Sequence, residues 1–433
     1  MLDIKLIRSN PELVRENLRR RGDPEKLKLL DMLIEADVKW RETVTKLNQV
    51  RAERNRIAGE VAKAKREGRK DYARNLIERG RKLQEMLENL TIEEKRLREE
   101  ARNLLLRIPN LLHESVPYGR DENDNVVIRV WGEPPKFGFK PAGHIEILTR
   151  LGLIEAERAA KVAGRGFYYL KGPLVLLDLA LIRFAIDFMV EKGFTLVEPP
   201  LMMHRKPYEG VTDLQSFEDV LYKVEGEDLY LIATSEHPMA AMYMNETILE
   251  EDLPILLVGV SPNFRKEVGT HGKYTKGLFR MHQFNKVEQF VFCLPEESWE
   301  WHEKLQQNCE EMYQKLGIHY RVVNVCTGDI STVAAKQYDV EAWMSDGKYR
   351  EIGSNSNCTD YQARRLNIKY RVKEGQPPKG YVHTLNSTAL ATSRTMIAII
   401  EQYQQEDGTV MIPEVLRPYM GGIKKLEPNW ARK

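Results

Sequence analysis

Cysteine is scarce in this sequence. Cys293, Cys309, Cys326 and Cys358 are its four cysteines, widely spaced and without a Cys-x-x-Cys pair. That argues against a disulfide framework and a zinc ribbon, and it fits a reducing, cytoplasmic compartment. Long apolar runs are missing too. The longest, from Leu174 to Val190, is broken by Asp178, Arg183 and Asp187, so no membrane span is expected. The opening, MLDIKLIRSNPELV, has no basic segment followed by an apolar one, and no secretory leader is expected. The common phosphate loops are absent as well. No Gly-x-x-x-x-Gly-Lys-Ser/Thr string occurs, and the nearest one, Gly269-Thr-His-Gly-Lys273, has the wrong spacing. No Gly-x-Gly-x-x-Gly follows a strand pattern, and His-Glu-x-x-His does not occur. A nucleotide, if one is handled, is held without those devices.

Net charge is also small. Lys and Arg number 66 against 64 Asp and Glu, leaving +2 on 433 residues. At roughly 100–200 residues per domain, that length predicts two to four domains. Three zones follow from composition. Residues 1–108 are charge-rich, with Pro11 and Pro24 as their only prolines. Residues 109–141 carry five prolines and the polar run Asp121-Glu-Asn-Asp-Asn125, which reads as a linker. Residues 142–433 mix helical and strand patterns, as a globular α+β domain does.

The first zone holds two long helical patterns. In the second, apolar seam positions alternate by four and three through Leu76, Gly80, Leu83, Leu87, Leu90, Glu94, Leu97, Ala101 and Leu104. A matching seam in the first runs Trp40, Val44, Leu47, Arg51, Arg54, Ala58, Val61. Arg66-Glu-Gly-Arg-Lys-Asp71 between them predicts a tight turn and an antiparallel pair. Helices of about 40 residues rise on the order of 60 Å. Arg51 and Arg54 replace leucines towards the turn, so a tip less tightly packed than the base is expected. From Lys46 to Lys82 there are thirteen Lys or Arg against five Asp or Glu. That excess suits either a solvated helix face or a nucleic-acid backbone.

Chemistry concentrates in the last zone. In Phe264-Arg265-Lys266-Glu267, an extended chain puts Arg265 and Glu267 on one face. The pair fits a surface ion pair or a grip on phosphate and amino groups. Arg280, Phe284 and Glu288 are four apart, and on a strand they share a face. That face offers a cation, an aromatic plate and a carboxylate, or a buried Phe and nothing more. In Thr384 to Arg394, positions 387, 389, 391 and 393 are Ser, Ala, Ala and Ser, a face of small residues leading to a helix that starts near Arg394. A helix start favours anions. Glu351-Ile352-Gly353-Ser354, with Glu341 and Asp346 upstream, supplies oxygen ligands of the kind magnesium takes. Thr234-Ser235-Glu236 follows an apolar run as a polar cluster at a strand end.

Together and in this order, Phe-Arg-x-Glu, Arg-x-x-x-Phe-x-x-x-Glu and a small-residue strand running into an Arg-bearing helix resemble class II aminoacyl-tRNA synthetases. Gly193-Phe194-Thr-Leu-Val197-Glu-Pro-Pro200 resembles that class's first motif, which lies at a dimer interface. Met1-Leu-Asp-Ile, Ile108-Pro-Asn110, Met281 to Glu288, Thr384-Leu-Asn386 and Glu414 to Tyr419 extend the resemblance along the chain to the seryl-tRNA synthetases of the common type. The resemblance implies an α+β protein with an N-terminal antiparallel coiled-coil arm (1–108), a linker (109–141) and a class II catalytic domain (142–433) whose antiparallel sheet is flanked by helices. It implies a cytoplasmic homodimer that makes seryl-adenylate from L-serine and ATP and charges tRNA(Ser), with tRNA(Sec) open as a second acceptor. Mg2+ is implied and zinc is not.

Site roles carry over in the same way. Arg265 and Arg394 are implied as catalytic cations, Arg265 on the α-phosphate and serine carboxylate, and Arg394 with Arg280 on the terminal phosphates. Lys266, Glu267, Phe284, Ile352 and Gly353 complete the implied ATP set, with Glu267 on the adenine amino group and Phe284 stacked on the base. Glu351 and Ser354 are implied for ATP and the metal. Thr234, Ser235, Glu236, Glu288, Asn386 and Thr388, with Arg265, are implied for serine, Glu288 taking its hydroxyl. Ser387 stands where the family commonly has Gly, and Thr388 where Ser is common, which implies a slightly tighter serine pocket.

Overall fold

The computed structural model describes residues 1–267 and 277–428, apart from the side chain of Ser216. The Gly269 to Lys273 string lies outside the described residues. The chain divides into two compact units, Met1–Pro109 and Asn110–Lys433.

The first unit is helical: α1 (Ile4–Ser9), α2 (Pro11–Arg20), α3 (Pro24–Arg66) and α4 (Lys70–Leu106). Local chemistry sets the starts. Asp23 accepts from the backbone N–H of Glu25 and Lys26, and Pro24 sits in the first turn, where its missing N–H costs nothing. Gly68, with φ of 75°, turns α3 back into α4. Leu29, Leu30, Leu33 and Leu47 of α3 are buried, as are Leu76, Leu87, Leu97 and Leu104 of α4. The seam's one acid is answered: Trp40 Nε1 donates to Glu94 at 2.9 Å.

The tip differs from expectation. Ile57 and Ala64, not Ala58, are buried there, against Ala73 and Leu76, with Val61 and Leu83 packed on them. The seam of α3 therefore passes through 57, 61 and 64, one residue out of step with the run through Arg51 and Ala58. Arg54, half-buried, reaches across to α4 and donates to Gln84 at 3.2 Å. An apolar cluster closes the tip.

The second unit is built on an eight-stranded sheet. Its strands are β1 (Val126–Trp131), β2 (Thr195–Val197), β3 (Ile255–Phe264), β4 (Gln283–Cys293), β5 (Tyr320–Asn324), β6 (Lys336–Trp343), β7 (Tyr349–Thr359) and β8 (His383–Ala391). They lie in the order β1-β5-β6-β7-β8-β4-β3-β2. All neighbours are antiparallel except β2 and β3. The helices used below are α5 (Pro173–Glu191), α6 (Glu236–Ala241), α7 (Ser298–Lys315), α8 (Tyr361–Leu366) and α9 (Thr392–Gln402).

Period-two alternation separates two cores. Val287, Val291 and Cys293 of β4 join the larger core with Leu177 and Leu181 of α5, Leu305 of α7 and Ile397 of α9. Phe290 and Phe292 point the other way, into a smaller core with Tyr208, Tyr230 and Leu366. Phe284, Lys286 and Glu288 share that second face and line a cavity. In α5, Asp178 is buried and accepts from Asn285 Nδ2 at 2.7 Å. Among the described residues no helix is long and apolar enough to cross a membrane.

The stretch read as a linker is built into the second unit. Asn110 Nδ2 donates to the carbonyls of Val333 (2.9 Å) and Cys358 (2.8 Å). Val126–Trp131 pairs with β5 as an edge strand. Its prolines flank that strand, and an edge strand needs a partner on one side only.

Candidate active site

The sheet floors a cavity of about 350 Å³. Register explains its floor. Across from Glu288 stand Gly259 on β3 and Thr388 on β8, and across from Lys286 stand Ser261 and Ala391. These small neighbours leave room for the long charged side chains between them. Gly259 also lets α6 approach: a Cβ there would lie 2.7 Å from Met239 and 2.9 Å from the Ser235 Cβ. Gly259→Val is expected to lower stability by about 1–3 kcal/mol through overpacking, read as a lower thermal midpoint.

Thr234 and Glu236 line one end. The Thr234 hydroxyl accepts from the Glu236 N–H at 3.2 Å. Behind that turn the Tyr208 hydroxyl accepts from the Ala233 N–H at 3.2 Å and lies 3.0 Å from His237 Nδ1. Burial pushes His237 down to about 3, so this brace is uncharged near neutrality. Glu236 accepts from the side-chain amides of Gln362 (3.2 Å) and Asn386 (3.1 Å). Burial, then the charge of Glu288, pushes Glu236 up to about 7. Burial also raises Glu288, against the pull of Lys286.

At the other end are Arg265, Glu267, Phe284, Glu351, Ile352, Gly353, Ser354 and Arg394. The Arg265 guanidinium lies 5.2 Å over the Phe284 ring. Burial and the nearby charge of Arg394 lower the Arg265 pKa. Arg394 sits in the first turn of α9, pairs with Glu351 Oε2 at 3.1 Å and lies 4.8 Å over Phe279. Enclosure works against charge on Glu351, but Arg394, with Arg265 and Lys286, holds that carboxyl below its usual range. Asp339, buried opposite Ser354, is raised by burial and then by the charge of Glu351.

Three expected residues do not reach this cavity. Ser235 is buried against the carbonyl of Gly259, and the Lys266 ammonium lies 5.9 Å over the Tyr222 ring. Arg280 precedes β4, so it shares no strand face with Phe284 and Glu288. It lines a neighbouring hollow and pairs with Glu267 at 3.2 Å. Glu267 itself is beyond the end of β3, at φ of 47°, so a strand did not bring it beside Arg265; a turn did. The small-residue face is split as well. Register shifts between Thr388 and Leu390, so Ala389 packs into the large core while Ala391 and Ser393 line the cavity. Lys286, Gln337 and Phe279 line the cavity and were not anticipated. Even spacing from Phe284 and Glu288 was the signal for Lys286. Gln362, on α8, left none.

Comparisons with known proteins agree across the chain. The family model described as seryl-tRNA synthetase N-terminal domain matches residues 1–112. The one described as tRNA synthetase class II core domain (G, H, P, S and T) matches residues 221–403. The chain is 53% identical to a serine–tRNA ligase of Thermococcus onnurineus, over 99% of this chain and 97% of that one. It is 54% identical to one of Methanospirillum hungatei, over 97% and 99%. Among solved structures, the seryl-tRNA synthetase of Pyrococcus horikoshii complexed with ATP is similar at a TM-score of 0.94 and 52% identity, covering 99% and 100% of the two chains. The cytoplasmic serine–tRNA ligase of Naegleria fowleri in complex with AMP gives 0.86 and 42%, covering 99% of each. A Giardia lamblia prolyl-tRNA synthetase, 15% identical with a TM-score of 0.55, shares the fold alone.

An antiparallel-rich sheet whose strand β8 runs into an Arg-bearing helix, facing Arg265 and Phe284 across one cavity, is a class II aminoacyl-tRNA synthetase core. Given identity above 50% over nearly the whole length, the chain belongs to the seryl-tRNA synthetase family.

Proposed function

We infer that the protein joins L-serine to ATP as seryl-adenylate and passes the seryl group to the 3′ end of tRNA(Ser), as a cytoplasmic homodimer. One observation carries the reading. A single cavity has carboxylates and hydroxyls at one end (Glu236, Glu288, Thr388) and cations with an aromatic ring at the other (Arg265, Arg394, Phe284). The first end suits a small hydroxy amino acid. The second suits a nucleotide.

In this reading Glu236 takes the serine ammonium and Glu288 its hydroxyl, with Thr234, Asn386 and Thr388 around them. A serine carboxylate oxygen attacks the α-phosphorus of ATP. The new O–P bond forms as the bond to the bridging oxygen breaks, and pyrophosphate leaves. A terminal ribose hydroxyl of tRNA then attacks the acyl carbon, and AMP departs. No protein nucleophile is needed. Arg265 steadies the carboxylate and α-phosphate, Arg394 the leaving phosphates, and Phe284 stacks on adenine, so positioning and charge supply the rate. Glu267, pinned by Arg280, accepts from the adenine amino group. Ile352 and Gly353 flank the nucleotide, and Lys266, held over Tyr222, takes no part in this reading.

A divalent cation, Mg2+ in this reading, fits Glu351 and Ser354. Their donors are hard oxygens, and among the described residues no three acids, His or Cys converge to hold a metal alone. Glu351 and Ser354 would hold the cation, and it would offset the negative charge of the phosphates there. No zinc is assigned. Homodimerisation rests on the exposed apolar residues Leu176, Leu179, Val190, Leu196 and Met202. Residues 1–108 are assigned to tRNA, residues 142–433 to the chemistry, and 109–141 to the edge of the second unit.

The test is amino-acid-dependent ATP–pyrophosphate exchange with serine, threonine, alanine, glycine and cysteine, without tRNA. Exchange with serine alone is expected. Exchange with none of them removes the reading. Charging of tRNA(Ser) and tRNA(Sec) transcripts then settles the acceptor. A pH series adds a check. Protonated Glu236 cannot hold an ammonium, so kcat/KM for serine should fall about tenfold per unit below about 7, while KM for ATP holds steady.

A further inference from the structure

The strand that carries Phe284 and Glu288 also brings Lys286 into the cavity between them. Its ammonium lies 2.6 Å from Oε2 of Glu288. Both side chains are more than nine-tenths buried. The contact is a close ion pair on one oxygen of the carboxylate, with the Thr388 hydroxyl acting on the same group. A buried carboxylate thus faces the cavity with a cation fixed beside it. We propose that Lys286 is a positioning residue for serine selection: its ammonium pins the Glu288 carboxylate as the acceptor for the substrate hydroxyl. This rests on the reading of the site given above.

The charges around Glu288 give Lys286 its weight. Glu236 faces it from the first residue of α6, Arg265 from beyond β3, Cys309 from α7 and the Thr388 hydroxyl from β8. Two carboxylates in one enclosed end repel each other, and burial drives both towards protonation. Arg265 is committed to the phosphate and carboxylate of the substrates. Among the described residues, Lys286 is the remaining cation acting on Glu288. Without it Glu288 picks up a proton. A neutral carboxyl is cheaper to leave unpaired than a carboxylate, so a substrate lacking the hydroxyl is rejected less strongly. The ion pair is no evidence of stability by itself, since desolvation offsets its attraction.

The test is pyrophosphate exchange by the full-length chain carrying Lys286→Met, Lys286→Arg, Glu288→Gln and the Met/Gln double substitution, with folding checked by thermal melting. Lys286→Met should raise KM for serine about tenfold or more and leave KM for ATP within about twofold. It should move the inflection of the serine pH profile up by about one unit or more, and cut the preference for serine over alanine about tenfold. Lys286→Arg should return the inflection towards wild type. On the Glu288→Gln background, Lys286→Met should cost less than about twofold. Equal losses in the serine and ATP constants, an unmoved inflection, or an undiminished cost on the Gln background would each overturn the proposal. If Lys286→Met does not fold, Lys286→Gln read against Lys286→Arg decides the same points. A wild-type enzyme without serine-dependent exchange would remove the reading of the site itself. Normal wild-type exchange with an unmoved inflection would remove only the role of Lys286.

Discussion

Replacing Glu288 by alanine should lower serine-dependent pyrophosphate exchange by about three to four orders of magnitude and leave ATP affinity within a few-fold. The asymmetry comes from where Glu288 stands. It lies beyond Phe284 and Lys286 on β4, across from Thr388. It is 1% exposed and lines the cavity, so its carboxylate is a fixed, desolvated acceptor that a water entering after truncation does not reproduce. The serine hydroxyl then enters a site with no acceptor, and the Lys286 ammonium is left buried and unpaired. Each fault weakens the serine complex. Neither touches the adenine plate or the phosphate cations. Titrating ATP by fluorescence or calorimetry, beside exchange at saturating ATP, separates the two effects. Equal loss of ATP binding would remove the role given to Glu288. The same substitution should narrow the gap between serine and alanine, because the penalty for a missing hydroxyl disappears with its partner. Threonine is excluded differently, by fit against one extra methyl beside Thr388, worth only about 1–3 kcal/mol. Glu288→Ala opens that space and should admit threonine relatively better than wild type does.

How much of this was legible in the sequence varies with range. Seam periodicity in residues 76–104 is a local signal, and those leucines are buried. In the first helix Arg51 and Arg54 broke the pattern, and the seam resumed one step away at Ile57, which only packing against Ala73 and Leu76 reveals. Phe284 and Glu288 share a face because β4 is regular between them. Arg280 does not, because the strand begins after it. A register shift at Thr388 to Leu390 undid the small-residue face, and bulges leave little local trace. Gln362 supports Glu236 from a short helix 126 residues away. Nothing near either residue announces that contact. Spacing thus located side chains within an element, while everything set by contacts between elements stayed hidden.

Removing residues 27–105 should leave serine-dependent exchange close to wild type and reduce tRNA charging on the order of 10³-fold or more. The first half follows from the separate cores. Residues 110–433 form their own compact unit, and none of the cavity's lining comes from the arm. The cut is also sterically modest: the Lys26 ammonium already donates to the Arg107 carbonyl at 3.3 Å, so the two ends stand side by side. The second half follows from charge. Thirteen Lys or Arg against five acids lie between Lys46 and Lys82, while the whole chain carries only +2. Without the arm, the rest of the chain has a net negative charge, which repels a phosphate backbone. Several of the arm's cations are held by ion pairs, among them Arg56 with Glu53 and Glu60. Pairs this exposed are worth little and yield to phosphate at small cost. Full-length charging should therefore weaken steeply as salt rises, with log kcat/KM for tRNA falling linearly against log salt. The truncated protein should lose most of that slope along with its activity, and its exchange reaction should barely respond to salt. Wild-type charging by the truncated protein would refute the arm's role. An unchanged salt slope at reduced activity would move the phosphate contacts to the second unit.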